Sequence, residues 1–178
     1  MPGVSVRIRD ANGEIAGAGV IGAVEVTGPG VFAGYWRKPE ITQREFTEDG
    51  WFKTGDVGQF DEEGYLKLVG RAKDLIITGG LNVYPAEVED YLNALPGVVE
   101  SAVIGVPHAD FGEGVVAVVV KSPEASVNPE AIIQTMKATV ANFKVPKAVF
   151  VVSDLPRNAM GKVQKNLLRE RYQKALTP

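Results

Sequence analysis

The residues best suited to chemistry fall in three short stretches. In Arg157-Asn158-Ala159-Met160-Gly161-Lys162-Val163-Gln164-Lys165, a glycine able to take positive φ stands immediately before a lysine. A lysine presented this way reaches an anion as a mobile point charge, or remains a solvated surface residue. The stretch is not a Walker loop, because it lacks the glycine-rich lead and the following Ser or Thr. In Thr54-Gly55-Asp56 a carboxylate follows a glycine between two short strands. It can accept hydrogen bonds from a vicinal diol such as a ribose, or cap a turn through backbone N–H groups. In the third stretch the charged turn Arg71-Ala72-Lys73-Asp74 leads into apolar Leu75-Ile76-Ile77 and the flexible pair Gly79-Gly80. It lies where two pieces of different texture meet, and reads either as a hinge or as an ordinary strand with a turn at each end.

Composition excludes several other chemistries. With no cysteine among 178 residues there is no thiol nucleophile, disulfide or thiolate metal site. His108 is the sole histidine and falls in a polar loop, which argues against a histidine triad or zinc site; no metal site is expected. The net charge of -3 argues against a nucleic-acid partner, since phosphate backbones demand local positive excess. No apolar run is long enough to span a membrane, and Met1-Pro2-Gly3 lacks a signal peptide's opening. A cytoplasmic protein is expected. Charge is uneven, with six basic residues against one acid between Arg157 and Lys174. Such a tail is either a solvated helix or a surface for a phosphate or carboxylate ligand.

The elements that must position these residues change character along the chain. Residues 4–9 alternate as a half-buried strand does, residues 21–27 form a second, and residues 48–70 read as tight turns between short strands. Gly34-Tyr35-Trp36 before Pro39 either packs a core or floors a pocket. Pro85 then opens a helix, with Val88, Tyr91, Leu92 and Leu95 as its apolar stripe and Pro96-Gly97 as its stop. Residues 98–106 and 115–120 are valine-dense strands separated by a polar loop over 107–114. Asn128-Pro129-Glu130 caps a helix ending near Ala141, residues 148–152 form another strand, and a basic amphipathic helix closes over 166–176. The expected fold is α+β, a strand-rich first part followed by a compact unit of about a hundred residues.

Taken together and in order, four motifs closely resemble the adenylate-forming superfamily. They are Gly34-Tyr35-Trp36 with Pro39-Glu40, Trp51-Phe52-Lys53-Thr54-Gly55-Asp56, Gly70-Arg71-Ala72-Lys73-Asp74, and Pro156-Arg157 to Gly161-Lys162 with Lys165. That superfamily includes acyl-CoA synthetases, adenylation domains of peptide synthetases and beetle luciferases. Within it, the stretches Gly79 to Glu87 and Trp51 to Asp56 look most like malonyl-CoA or methylmalonyl-CoA synthetases, with peptide-synthetase adenylation domains as runner-up.

The resemblance implies that residues 1–72 are the terminal β-rich part of a large ATP-binding domain. Residues 73–178 would be the small mobile C-terminal domain, hinged near Lys73. Asp56 looks like the carboxylate for the ribose hydroxyls of ATP and AMP, and Arg71 like a basic residue near ribose and phosphate. Lys162 looks like the catalytic lysine between the attacking carboxylate and the α-phosphate. Gly79 and Gly80 resemble the face that lines the pantetheine tunnel for coenzyme A, with Asn82 and Glu87 in support. The intact enzyme would use ATP, Mg2+, coenzyme A and a small carboxylic acid. The family's phosphate loop, acyl pocket and magnesium-holding acid are absent here, so the chain alone is expected to be inactive, with a missing N-terminal domain as its partner. A reading from another class is a binding module, or a substrate of a lysine acyltransferase at Lys162.

Overall fold

The computed structural model describes residues 3–177; Met1, Pro2 and Pro178, including the opening residues read above for a leader, lie outside them. The fold is mixed α+β, with two sheets carried by two compact units, Met1–Lys73 and Asp74–Pro178. Among the described residues no helix is long and apolar enough to cross a membrane.

The first unit is an antiparallel meander of β1 (Ser5–Arg9), β2 (Gly22–Thr27), β3 (Phe52–Phe60) and β4 (Leu66–Arg71), with α1 (Pro39–Glu45) between β2 and β3. The alternation of β1 sends Ile8 inward opposite Val24, both buried. Helix α1 was not foreseen, although Pro39 at its start and Glu40 in its first turn give the same signal that marks the later helices. Gly34 is required beside it, because a Cβ there would lie 2.7 Å from Thr42 Cγ2. The aromatic cluster divides its two expected roles. Tyr35 packs edge-on against Phe32, which also meets Phe46 and Phe52, while Trp36 is 84% exposed.

A second correction concerns residues 48–70. The Thr54-Gly55-Asp56 stretch is not a turn between short strands but the interior of the single strand β3. Against β2 the register jumps from Ala23↔Val57 to Glu25↔Lys53, so β3 carries extra residues as a bulge. Gly55, at φ 75, supplies the bulge's positive φ.

One face of the meander carries a buried charge cluster. Glu25 Oε2 accepts from Arg7 Nε at 2.6 Å and from Arg9 Nε at 3.1 Å, and its side chain is 4% exposed. Arg7 also forks onto Asp49 at 2.6 and 3.0 Å and lies 4.3 Å over the Trp51 ring. The hydrogen-bonded Arg7 guanidinium holds the Asp49 carboxyl well below the usual carboxylate range. Its contribution is therefore present above about pH 4 and fades as pH falls toward the lowered value. Removing Glu25 takes from Arg9 its 3.1 Å carboxylate partner and leaves Arg7 with Asp49 alone. Glu25→Ala is expected to destabilise the chain by about 3 kcal/mol, since Asp49 still serves Arg7. Urea unfolding followed by tryptophan fluorescence reads this; a loss below about 1 kcal/mol would mean water already screens the cluster.

The second unit is a five-stranded sheet covered on both faces. Its strands are β5 (Ile76–Thr78), β6 (Leu81–Val83), β7 (Val98–His108), β8 (Gly112–Lys121) and β9 (Ala148–Val152); its helices are α2 (Pro85–Asn93), α3 (Pro129–Thr139) and α4 (Lys165–Tyr172). Strand β8 lies inside, paired antiparallel to β7 and β5 and parallel to β9. Its consecutive valines explain the burial. Val115, Ala117 and Val119 face a core built with α2 and α3, through Val88, Leu92, Ile132 and Met136. Val116 and Val118 face the opposite core with Leu155 and with Leu168 of α4. Asn128 caps α3 through its side chain, accepting from the Ala131 N–H at 3.1 Å.

Three boundaries differ from expectation. The polar loop over 107–114 is mostly strand: Pro107 pairs with Glu113 and His108 with Gly112, leaving a tight hairpin. Helix α3 stops at Thr139, with Val140 already extended. Helix α4 stops at Tyr172, and residues 173–176 continue as turns.

Candidate functional site

In the first unit the fold brings Asp56 and Arg71 together as cross-strand partners on β3 and β4. Arg71 Nε lies 2.7 Å from Asp56 Oδ1, with the two side chains 50% and 26% exposed. The bulge sets this geometry. Thr54 donates its hydroxyl to the buried Val24 carbonyl at 2.8 Å and accepts the Asp56 N–H at 3.0 Å. Thr54 was not singled out from sequence; the signal available was a hydroxyl residue two before an acid across a glycine. A carboxylate with one oxygen engaged, beside a guanidinium and open to water, suits a diol next to a phosphate. Tyr35, Trp36, Arg37 and Lys38 line a separate cleft of about 560 Å³ against α1. Lys73 is exposed in a 3-10 turn, Ala72–Asp74, where the two compact units meet in sequence.

In the second unit Gly79 and Gly80 form a two-residue hairpin between β5 and β6, at φ 56 and 79. Positive φ at both positions is the turn whose twist matches the flanking strands. Asn82 is exposed on β6 opposite Ile77. The Gly79 N–H donates to the Phe111 carbonyl at 2.9 Å, and Thr78 pairs with Gly112. This hairpin therefore sits at the β7–β8 turn. Glu87 belongs elsewhere: in the first turn of α2 it pairs with Lys144 at 2.5 Å.

Lys162 is exposed at the tip of a hairpin between β9 and α4, and makes no ion pair among the described residues. Its backbone is held on both sides. Asn158 Oδ1 accepts the N–H groups of Met160 and Lys162, each at 3.0 Å, and the Asn158 N–H donates to the Lys162 carbonyl at 2.9 Å. Gly161 turns at φ 78, and Arg157 bridges to Val163 below. The Arg157 guanidinium also pairs with Glu100, near the start of β7. The lysine hairpin and the glycine hairpin thus occupy opposite ends of the β7–β8 ribbon. Glu100 and His108 lie about 25 Å apart along such a strand.

Residues 87–162 match the AMP-binding enzyme C-terminal domain family. ATP-bound MatB from Rhodopseudomonas palustris is 56% identical, with a TM-score of 0.95 over 99% of this chain and 35% of that one. The apo form of that protein, at the same 56% identity, scores 0.72, so its two structures differ from one another over the matched span. A 7a-methyl-1,5-dioxo-octahydro-1H-indenyl-propanoyl:CoA ligase from Rhodococcus jostii is 46% identical over 96% of this chain and 31% of its own length. A feruloyl-CoA synthase from Amycolatopsis is 42% identical over 94% of this chain and 34% of its own. The chain spans about a third of the length of the relatives it matches.

Proposed function

The chain belongs to the adenylate-forming acid–thiol ligase family, and on that premise we propose that it is the C-terminal portion of an enzyme joining a carboxylic acid to coenzyme A. In the first half-reaction a carboxylate oxygen attacks the α-phosphorus of ATP and pyrophosphate leaves. In the second the thiol of coenzyme A attacks the acyl carbonyl and AMP leaves.

The observation that carries this reading is the placing of two unlike surfaces at opposite ends of one ribbon in the second unit. At one end Lys162 offers an ammonium that no acid among the described residues neutralises. Between an attacking carboxylate and a phosphate it stabilises charge that builds in the transition state. At the other end Gly79 and Gly80 offer bare backbone along which a narrow chain such as pantetheine can pass, with Asn82 beside them. Two surfaces about 25 Å apart cannot serve one reacting centre together. They serve it in turn if the second unit swings about Lys73, a hinge-type rotation. In the first unit Asp56 binds the ribose hydroxyls and Arg71 lies beside ribose and phosphate. Glu87 acts from a distance, fixing α2 through Lys144.

Magnesium on the phosphates supplies further charge neutralisation in phosphoryl chemistry. Among the described residues no group of acids or histidine is arranged to hold a metal, and none of these steps is assigned to one. The acid is malonate or methylmalonate on the wording around Gly79 to Glu87. The named relatives act on unlike acids, so family membership carries the reaction, and the acyl group rests on the narrower resemblance of that stretch. Lys162 is also where acylation by a lysine acyltransferase would remove the charge that adenylation uses.

AMP formation tests the reading. Given ATP, magnesium, coenzyme A and a panel of small acids including malonate, the 178-residue chain is expected to release no AMP. Joined to the N-terminal portion of its parent enzyme, it is expected to release AMP in an acid-dependent way. Acid-dependent AMP from the chain alone, absent from a Lys162→Ala control, would overturn the fragment reading. Its absence from the joined protein across the panel would overturn the ligase.

A further inference from the structure

Glu100 and Glu89 stand on different elements, yet both hold the Lys162 hairpin. Glu100, on β7, pairs with Nη2 of Arg157, and Nη1 of the same guanidinium donates to the Gly161 carbonyl at 2.7 Å. That carbonyl belongs to the peptide leading into Lys162. Glu89, on α2, lies 2.6 Å from Lys165 Nζ, just past the hairpin, and also accepts the Val103 N–H at 2.7 Å. The Val103 pair is on the outer strand β7, so Glu89 ties α2, β7 and the start of α4 together. One acid thus fixes the foot before Lys162 and the other the foot after it. Asn158 closes the tip between them.

We propose that Glu100, acting through Arg157, is a positioning residue for Lys162, with Glu89 and Lys165 as the second anchor of the same mount. This rests on the ligase reading above and adds to it. The ammonium of a lysine has four rotatable carbons behind it, so its reach is loose unless its backbone is placed. Placement errors of about 1 Å cost adenylation far more than folding. The Glu100–Arg157 pair is 33% and 39% exposed, as expected of a contact that contributes little to stability. Arginine suits the place because the fixed fork of its guanidinium serves the carboxylate and the Gly161 carbonyl from separate nitrogens, in a geometry a single ammonium does not reproduce.

The test uses the full-length ligase and follows its two half-reactions separately. Glu100→Ala and Arg157→Lys are each expected to lower kcat of adenylation about tenfold, leaving KM for ATP and thioester formation from preformed acyl-adenylate unchanged. The thermal midpoint should not move. Exchanging the charges, Glu100→Arg with Arg157→Glu, restores an ion pair but no donor to the Gly161 carbonyl, and adenylation should stay low. Recovery in that double variant would overturn the proposal, as would equal losses in both half-reactions or an unchanged rate in Glu100→Ala. Lys162→Ala run alongside separates the failures. If it too leaves adenylation intact, the ligase reading falls; if it alone impairs adenylation, only the mount does.

Discussion

Replacing Lys162 by alanine in the intact enzyme is expected to lower acyl-adenylate formation at least about a hundredfold, roughly 3 kcal/mol of transition-state stabilisation. Thioester formation from preformed acyl-adenylate should be spared. The expectation follows from what the lysine does and does not touch. Its side chain is exposed and carries no structural ion pair among the described residues. The hairpin's bonds run through the backbone of 158, 160, 161 and 162 and the side chains of Arg157 and Asn158. Alanine keeps all of them, so a lost rate reports lost charge rather than a collapsed loop. On the proposed reading the glycine hairpin, about 25 Å away along the ribbon, takes the lysine's place in the second half-reaction. Rapid-quench measurement of each step separates the two. Comparable losses in both would mean that Lys162 is not specific to adenylation.

Most of the second unit could be read from its residues because local and global signals agree there. Pro85 and Asn128-Pro129 mark helix starts that the structure places at the same positions. The unbroken apolar run from Val115 to Val120, all valine but for Ala117, requires cover on both faces, and both faces are covered. What escaped was local structure decided by pairing across the chain. Strand β6 holds only Leu81–Val83 and has no period of its own; it exists because Gly79-Gly80 folds it back on β5. Thr54-Gly55-Asp56 carries turn residues, yet β2 and β4 on either side keep it in strand and turn the surplus into a bulge. The polar residues of 107–114 spoke for a loop, whereas the β7–β8 ladder continues through most of them. The candidate site residues were named by motif order, whereas the residues that brace them were not. Glu89 and Glu100 are distant in sequence from what they hold, and Thr54 is fixed beside Asp56 by the equally distant Val24 carbonyl, so only the fold brings them there.

Asp56→Asn should raise KM for ATP by about a hundredfold while leaving stability within about 1 kcal/mol. Asparagine keeps the shape and one acceptor oxygen but loses the charge that makes a carboxylate the stronger partner for two hydroxyls. The fold has little stake in that charge. Asp56 and Arg71 are partly exposed, and their 2.7 Å contact spans neighbouring strands already joined by backbone pairing. The backbone N–H of Asp56 stays bonded to Thr54, which does not depend on the side chain, so the bulge survives. Arg71 would lose its partner without being buried, and water replaces it at little cost. A binding loss without a stability loss is thus what a ligand-facing carboxylate predicts, whereas a structural one predicts the reverse. Titrating the intact enzyme with ATP beside a urea melt distinguishes them. An Asp56→Asn variant with unchanged KM would remove the ribose from this carboxylate, and the pair would then be a strand-edge contact alone.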